Sequence, residues 1–232
     1  MATYVMSDIH GEYNKFMAML GLINFTDDDT LYLLGDILDR GPEPIKILKD
    51  LSFRSNTFCL LGNHELMAID VLTDLLVEIK EENCETHIDT SIINKLIDYQ
   101  SNDGDITLAQ FKNLPYEERF ELLDFLKEFE LYDVVDVGDK TFVLSHTGNI
   151  NPDKTLSEHS IEELAFLRAD YDKQVFTDEP NVFIICGHTP TLAITGKPEI
   201  YRKNNFINID CGAAFGGKLG CLRLDDFKEF YI

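Results

Sequence analysis

Basic side chains are scarce in this chain of 232 residues. It has 20 lysines and arginines against 42 aspartates and glutamates, which gives a formal net charge of -22 at pH 7. This balance argues against a nucleic-acid partner, because the phosphate backbone would be repelled before any specific contact formed. An anionic membrane surface is disfavoured for the same reason.

Long apolar runs and paired cysteines are also lacking. No apolar stretch approaches the roughly 18 residues that a membrane-spanning helix needs. The N-terminal segment MATYVMSDIHG has no basic region and enters a predicted strand at once, which argues against a signal peptide. Five cysteines without a C-x-x-C pair argue against a disulfide framework or a zinc knuckle. We therefore expect a globular, cytoplasmic protein.

Strand and helix patterns alternate over the first part of the chain. Apolar runs at 2–7, Thr30–Leu34 and Thr57–Leu61 predict buried strands. The apolar spacing in Glu12–Ile23 and Ile45–Leu51 predicts a helix between each pair of strands. This alternation is typical of βαβ units and of a largely parallel sheet.

Helical patterns replace strands between about residues 66 and 131. They cover Met67–Lys80, Ser91–Tyr99 and Tyr116–Glu130. Residues 70–139 hold 19 acidic and 5 basic side chains, so they carry -14 of the net charge of -22. We interpret 66–131 as an acidic helical insertion in a single domain that spans residues 1–232. Two interpretations of this insertion stay open: a solvated acidic face, and a cap that favours basic peptides as substrates.

Strand patterns return in the second half of the chain. A helix is predicted at Ile161–Arg168. The predicted strands are Val134–Val137, Thr141–Leu144, Val182–Cys186, Phe206–Ile209, Leu219–Leu224 and Glu229–Ile232. We therefore predict an α/β fold, a β-sandwich of mixed sheets flanked by helices.

Five polar motifs directly follow apolar runs, where buried strands are predicted to end. They are SDIHG at 7–11, GDILDRG at 35–41, GNHE at 62–65, SHTG at 145–148 and GHTP at 187–190. Carboxylate, imidazole and amide groups at strand ends are typical of a two-metal hydrolytic site. Taken singly they are ambiguous, because His146 and His188 could be buried core histidines and Asn63 could cap a helix.

The GDILDRG motif is the most specific of the five. Asp36 could bridge two cations, and Arg40 could bind a phosphoryl group through its planar guanidinium. The alternative is an exposed turn in which Asp39 and Arg40 form a surface ion pair of little energetic value. In the next motif, His64 is free for proton transfer if a carboxylate orients it.

Together and in this order, the motifs resemble the metallophosphoesterase superfamily. More narrowly, they resemble the phosphoprotein phosphatase family and its compact bacterial serine/threonine phosphatase-like members, and the tail INIDCGAAFGGKLGCLRL does so too. The resemblance implies that His64, oriented by Asp39, is the general acid and that Arg40 and Arg168 bind phosphoryl oxygens. It implies two metal sites that share Asp36: Asp8, His10 and Asp36 for the first, and Asp36, Asn63, His146 and His188 for the second.

The resemblance implies that the protein is a serine/threonine phosphatase, with phosphotyrosine as a further substrate class. Such an enzyme acts by direct attack of a metal-bridging hydroxide on phosphorus. The two divalent cations expected are Mn2+ by preference, or Fe or Zn2+. The alternative is a dinucleoside polyphosphate (Ap4A-type) hydrolase, so the partner is a phosphorylated protein or peptide or a small phosphorylated molecule. A noncatalytic binding protein is a remote third reading. The pairing of Asp39 with His64 favours the phosphatase, because an alkoxide leaves less readily than a nucleotide phosphate.

The chain departs from the family pattern at a few positions. Ser7 stands where glycine is usual, and Cys211 stands where many bacterial relatives have threonine, which predicts an oxidation-sensitive thiol near the site. We identify no counterpart of the tyrosine that larger eukaryotic members place in a late active-site loop. His87 and His159 lie in polar helical surroundings, and we expect both to be solvent-exposed without a role.

Overall fold

The first of two β-sheets contains the N-terminal strand at its centre. The structure is a computed structural model, and it describes residues 1–76, 90–176 and 178–232. In spatial order this sheet consists of β10 (Lys228–Tyr231), β9 (Gly220–Arg223), β1 (Thr3–Met6), β2 (Thr30–Leu33) and β3 (Thr57–Cys59). Strands β1, β2 and β3 are parallel, whereas β9 is antiparallel to both β1 and β10.

The second sheet is formed by the C-terminal half of the chain. In spatial order it consists of β4 (Tyr132–Val137), β5 (Lys140–Ser145), β6 (Val182–Cys186), β8 (Phe206–Asn208) and β7 (Tyr201–Lys203). Its central strands β5, β6 and β8 are parallel, and the outer strands β4 and β7 are antiparallel to their neighbours. Both sheets are therefore mixed.

The two sheets pack face to face through alternate side chains. Val5 and Tyr32 of the first sheet lie in one apolar cluster with Phe142 and Ile185 of the second. Neighbouring residues such as Met6 point to the opposite face and pack against helices. Because side chains alternate along a strand, a strand covered on both faces is apolar throughout. Full burial of each such side chain contributes about 1.5–3 kcal/mol.

Helices cover the outer face of the first sheet and share its apolar cluster. They are α1 (Tyr13–Leu22), α2 (Pro44–Ser52), α3 (Asn63–Leu76), α4 (Thr90–Ser101), α5 (Asp105–Lys112) and α6 (Tyr116–Lys127). Two shorter helices, α7 (Ile161–Ala165) and α8 (Thr191–Thr195), belong to the second half of the chain. The fold is thus the predicted α/β sandwich of two mixed sheets flanked by helices.

The carboxyl ends of the parallel strands meet at one edge of the sandwich. The loop after β5 reaches the first sheet, where the ring of His146 bonds to the carbonyl of Leu34. The loop after β6 also crosses over, and the amide of His188 donates to the carboxylate of Asp8. This topology brings the five polar motifs together.

Several predicted elements differ in extent from the observed ones. The helix predicted at Ile161–Arg168 ends at Ala165, because the amides of Phe166 and Leu167 both bond to the carbonyl of Glu162 and close the last turn. The helix predicted at Met67–Lys80 begins earlier, at Asn63, and residues 77–80 lie outside the described residues. Helix α5 and strand β7 were not predicted. The sequence of β7, YRK, carries no apolar pattern that would mark it.

We expected His159 to be solvent-exposed, but it is buried, and Cys211 is buried as well. His159 is 7% exposed; its ring accepts the amide of Asn151 at 2.8 Å and donates to the carbonyl of Thr155 at 3.0 Å. Cys211 is 2% exposed, and burial raises the pKa of its thiol to about 12, so the structure argues against the expected sensitivity to oxidation. The other expected exposed histidine, His87, lies outside the described residues.

The described residues contain neither a disulfide nor a membrane-spanning helix. The four described cysteines, Cys59, Cys186, Cys211 and Cys221, are all free and buried. Among the described residues, we find no helix with the length and apolarity that crossing a bilayer requires.

Candidate metal centre

The loops that carry the motifs adopt strained backbone conformations. Eleven non-glycine residues in the described part of the chain have positive φ angles, and six of them are predicted site residues. Those six are Asp8, His10, Asp36, Asp39, Arg40 and His188. A left-handed conformation at such residues costs of order 1–3 kcal/mol and persists only where the surrounding structure imposes it. The concentration of strain marks this edge of the sandwich as the functional site.

The buried side chain of Glu65 imposes the conformation of the loop after β2. Its Oε2 accepts the amides of Asp36 at 2.7 Å and Gly62 at 3.0 Å, and its Oε1 accepts those of Ile37 at 2.8 Å and Leu38 at 3.1 Å. Glu65 is 0% exposed. Four backbone donors on one buried carboxylate fix the direction in which the Asp36 side chain leaves the loop.

The imidazole of His146 presents a lone pair to other hydrogen-bond acceptors. A carbonyl can only accept, so Nδ1–H of His146 donates to Leu34 at 2.7 Å. In the neutral ring Nε2 is then unprotonated, and it lies 3.1 Å from Oδ1 of Asn63 and 3.4 Å from Oδ1 of Asp36. It also lies 3.1 Å from Nδ1 of His188. An unprotonated Nε2 and the carboxylate and amide oxygens around it form a set of ligand atoms that suits a bound cation.

His10 repeats this arrangement on the other side of Asp36. Its Nδ1–H donates to the carbonyl of Leu38 at 2.8 Å, and its Nε2 lies 3.4 Å from Oδ2 of Asp36. Ligand atoms of His10, Asp36 and His64 lie within 4.8 Å of one another, and so do those of Asp36, His146 and His188. The two groups share Asp36, which is the topology predicted for a bridging carboxylate. These donor atoms fit a pair of divalent cations.

Asp8 lies beside this cluster and links two of its loops. Oγ of Ser7 donates to Oδ2 of Asp8 at 2.5 Å, and the amide of His188 donates to Oδ1 and Oδ2 at 3.2 and 3.0 Å. The carboxylate is therefore turned toward the loop after β6. Burial raises the pKa of Asp8 to about 6, although the nearby ring of His146 opposes the shift.

The protonation of the cluster is set by burial and by Asp36. Burial lowers the pKa of His10 to about 3 and that of His188 to about 4, so both rings stay neutral. Burial also disfavours charge on His146, but the carboxylate of Asp36 outweighs it and raises the pKa of His146 to about 10. Asp36 therefore stabilises positive charge beside it, and a divalent cation can displace the ring proton and take its place.

His64 differs from the other rings because a second carboxylate holds it. Nδ1 of His64 donates to Oδ2 of Asp39 at 2.7 Å, and Nε2 faces the cluster 3.9 Å from Oδ2 of Asp36. Burial lowers the pKa of His64, but Asp36 and Asp39 outweigh it and raise the net value. Asp39 in turn accepts hydrogen bonds at 2.5 Å from the hydroxyls of Tyr99 and Thr107. The ring is thus oriented and biased toward its protonated form.

The two predicted arginines lie at the rim. The guanidinium of Arg40 donates to Nε2 of His10, contacts Asp103 at 3.4 Å and lies 4.8 Å above the centre of the Phe215 ring. Arg168 is exposed, and its charge lowers the pKa of His188. No carboxylate in the described part of the chain pairs with Arg168, so its guanidinium is available to an anion.

Sequence reasoning missed four side chains that shape this site. Glu65 belongs to the GNHE motif, but its spacing does not reveal that its carboxylate turns back onto the loop after β2. Tyr99 and Thr107 lie in the helical segment, 60 and 68 residues beyond Asp39 in the chain. Phe215 lies in the glycine-rich tail and shows no signal except its aromatic character.

We expect Glu65→Gln to destabilise the protein strongly. An amide offers one acceptor oxygen, so two of the four buried backbone amides lose their partner at about 1–3 kcal/mol each. For a chain of this length that loss corresponds to a fall of about 5–20 °C in Tm. Thermal denaturation of Glu65→Gln beside Glu121→Gln, an exposed position on α6, measures the difference. Equal Tm values for the two variants would contradict this role of Glu65.

Comparison with known proteins supports the fold and identifies a family. The symmetrical bis(5'-nucleosyl)-tetraphosphatase of Proteus mirabilis (strain HI4320) is 26% identical over 271 aligned positions, which cover 100% of this chain and 97% of that protein. The enzyme of the same name from Wigglesworthia glossinidia brevipalpis is 40% identical over 90 residues, 38% of this chain and 33% of the relative, so this second match spans a third of that relative's length.

A solved structure assigned provisionally as a diadenosine tetraphosphatase has a TM-score of 0.68 at 17% sequence identity, with 99% of this chain and 92% of that chain covered. The narrower resemblance to phosphoprotein phosphatases stays a prediction. The family model of calcineurin-like phosphoesterases, Metallophos, matches residues 1–206. Because this match covers most of the chain, the protein belongs to the calcineurin-like phosphoesterase family and is a metal-dependent phosphoesterase.

Proposed function

We propose that this protein hydrolyses dinucleoside polyphosphates of the Ap4A type at a two-metal centre. The observation that carries the proposal is the similarity to the symmetrical bis(5'-nucleosyl)-tetraphosphatase of Proteus mirabilis, whose alignment takes in this whole chain. This similarity supports a dinucleoside polyphosphate hydrolase, the alternative given by the sequence, better than a protein phosphatase. Symmetric cleavage of diadenosine tetraphosphate would release ADP alone.

Six side chains would hold the cations in this proposal. They are Asp8, His10, Asp36, Asn63, His146 and His188. Divalent cations bound here supply Lewis acidity toward the phosphoryl oxygens and the attacking water. A mixture of carboxylate, imidazole and amide ligands suits Mn2+, Fe or Zn2+ better than Ca2+, and we propose Mn2+ for assays.

The positions of the remaining polar groups suit transfer of a phosphoryl group to water. Nε2 of His64 points into the cluster, while Asp39 holds the opposite nitrogen, so a protonated ring can give its Nε2 proton to the departing oxygen. Arg40 and Arg168 would bind the equatorial oxygens and stabilise their negative charge. In an acidic chain these arginines and the cations concentrate positive charge where a polyphosphate binds.

An aromatic surface beside Arg40 suits a nucleoside. The ring of Phe215 is 55% exposed, and it borders a cavity of about 330 Å³ that Arg40, Asp103 and Ile106 also line. Bases stack on exposed aromatic rings whatever their sequence identity, since every base has a π-face. A dinucleotide could therefore place a phosphate at Arg40 and a base against Phe215.

One observation favours phosphomonoesters as a second substrate class. The Asp39–His64 pair is fully buried, and two hydroxyls donate hydrogen bonds to Asp39. A good leaving group does not need an acid that is oriented so firmly. A nucleoside diphosphate departs with little protonation, whereas the alkoxide of phosphoserine needs a proton in the transition state. A protein serine/threonine phosphatase therefore remains the second candidate.

The deciding measurement compares kcat/KM for diadenosine tetraphosphate and for phosphoserine and phosphothreonine peptides with Mn2+ present. We expect the dinucleotide to be preferred by at least about 100-fold, which corresponds to about 2.7 kcal/mol in the transition state. Chromatography of the products should show ADP without AMP or ATP. A preference for the peptides would overturn the proposal in favour of the second candidate, and loss of both activities in Asp36→Asn excludes a contaminating enzyme.

A further inference from the structure

Two helices of the acidic segment reach the Asp39–His64 pair. The hydroxyl of Tyr99 on α4 and that of Thr107 on α5 each donate to Oδ1 of Asp39 at 2.5 Å. The other oxygen of Asp39 accepts from His64. Tyr99 is 1% exposed, and Asp39 and Thr107 are 0% exposed, so water does not compete for these hydrogen bonds.

Thr107 makes a second contact that fixes the main chain. Its Oγ1 accepts the amide of Asp39 at 3.1 Å while its hydroxyl proton goes to the carboxylate of the same residue. Asp39 has a left-handed φ of 68°, so its backbone is strained and needs such partners. The threonine therefore holds both the main chain and the side chain of Asp39.

The turn between α4 and α5 is shaped for this contact. A Cβ on Gly104 would lie 2.6 Å from the ring of Tyr99, so only glycine lets the turn approach it. In the same turn, the carbonyl of Asp103 accepts the amide of Arg40 at 3.3 Å, and its carboxylate contacts the guanidinium. The turn thus contacts the proposed phosphate-binding arginine, and it joins the two helices whose hydroxyls reach Asp39.

We propose that Tyr99 and Thr107 are positioning residues for proton transfer, and that they act on His64 through Asp39. Three donors hold the carboxylate in one rotamer, and that rotamer aims Nε2 of His64 at the reacting oxygen. With either hydroxyl removed, Asp39 can rotate or accept a different donor, and His64 loses its fixed direction. This inference rests on the proposed phosphoester hydrolysis at this site with His64 as its acid.

The test uses the conservative variants Tyr99→Phe and Thr107→Val, with Thr107→Ser as the control that keeps the hydroxyl. We expect kcat for an alkyl phosphate to fall about 10–100-fold in the first two, as is typical when the outer hydrogen-bond partner of a site residue is removed. KM should change little, and p-nitrophenyl phosphate should be affected much less because its leaving group needs little protonation. Thr107→Ser should stay near wild type.

A double-mutant cycle with His64→Asn separates positioning from general loss of structure. If the hydroxyls act through His64, Tyr99→Phe has no further effect in the His64→Asn background. Full additivity would overturn the proposal. Tyr99→Phe removes one oxygen atom only, so it keeps the test valid where Thr107→Val fails to fold.

An NMR measurement does not depend on any substrate. In the Zn2+-loaded enzyme, the ring N–H proton of His64 is identified by its loss in His64→Asn, and Tyr99→Phe should shift or broaden it. An unchanged resonance would refute the inference. If diadenosine tetraphosphate is not cleaved by the wild type, the substrate proposal fails, and the NMR result still decides the role of Tyr99.

Discussion

Asp36→Asn is expected to abolish turnover and to leave the protein unable to hold its full complement of metal. Asp36 faces His10 through Oδ2 at 3.4 Å and His146 through Oδ1 at 3.4 Å, so it is the common member of both ligand groups. An asparagine keeps one acceptor oxygen and loses the negative charge. It can serve one of two cations at best, and its amide hydrogens point at the other.

The expected losses of activity and of bound metal are large because Asp36 belongs to both groups of ligand atoms. Loss of an outer hydrogen-bond partner of a metal ligand typically costs about 10–100-fold in affinity or activity, and a shared ligand should cost more than that range. The charge effect adds to this, since the rings of His146 and His64 hold the pKa of Asp36 well below its ordinary value against the effect of burial. The carboxylate is therefore ionised at any pH at which the enzyme would be assayed.

Metal content and steady-state rates measured on the same preparation test this prediction. Asp28→Asn, at an exposed position away from the site, makes the same chemical change and should bind metal and turn over substrate like the wild type. Circular dichroism shows whether the Asp36 variant is folded. Full activity in a folded Asp36→Asn protein would rule out the bridging role.

The strands and the polar groups at their ends were predictable because each is a local pattern. Apolar runs marked the strands, and parallel strands of one sheet place their carboxyl ends at one edge, so Asp8, Asp36 and Asn63 had to approach one another. That His146 and His188 would join them was implied by the family resemblance and not by the strand pattern. The roles of these residues in binding metal stay predictions.

Other features of the site depend on contacts between segments far apart in the chain. Tyr99 and Thr107 lie in short amphipathic helices whose sequence gives no hint that hydroxyls on them meet Asp39. Glu65 is a charged residue at 0% exposure, and sequence patterns place charged residues at the surface. His159 was misjudged for a different reason: backbone groups of its own loop bond to both ring nitrogens, so this polar side chain can be buried.

The acidic helices illustrate how composition can hide a role. Their charge suggested a solvated face or a cap that selects basic peptides. In the structure, α4 and α5 also send Tyr99 and Thr107 to the centre of the molecule. A segment can be acidic on its outer face and still supply the groups that orient an active-site acid, because a helix presents different residues to solvent and to the core.

His64→Asn is the sharpest test of how the histidines divide their work. Ligand atoms of His64 converge with those of His10 and Asp36, so geometry alone allows His64 to be a metal ligand. Its hydrogen bond to the carboxylate of Asp39 favours a proton donor instead, because this carboxylate orients the ring and stabilises its protonated form. An acid role predicts unchanged metal content in His64→Asn, whereas a ligand role predicts loss of metal.

The kinetics of His64→Asn should depend on the leaving group. Loss of a general acid typically costs about 10²–10⁴-fold, and we expect a loss of this size for alkyl phosphates. For p-nitrophenyl phosphate and for diadenosine tetraphosphate the loss should stay below about 10-fold, because both leaving groups depart with little protonation. Equal losses on all three substrates, with metal content intact, would argue against proton transfer and leave His64 a purely structural partner of Asp39. The result with diadenosine tetraphosphate matters most. A small loss of rate on this substrate would explain how one site can hydrolyse mainly an anhydride and still retain an acid that suits phosphate esters.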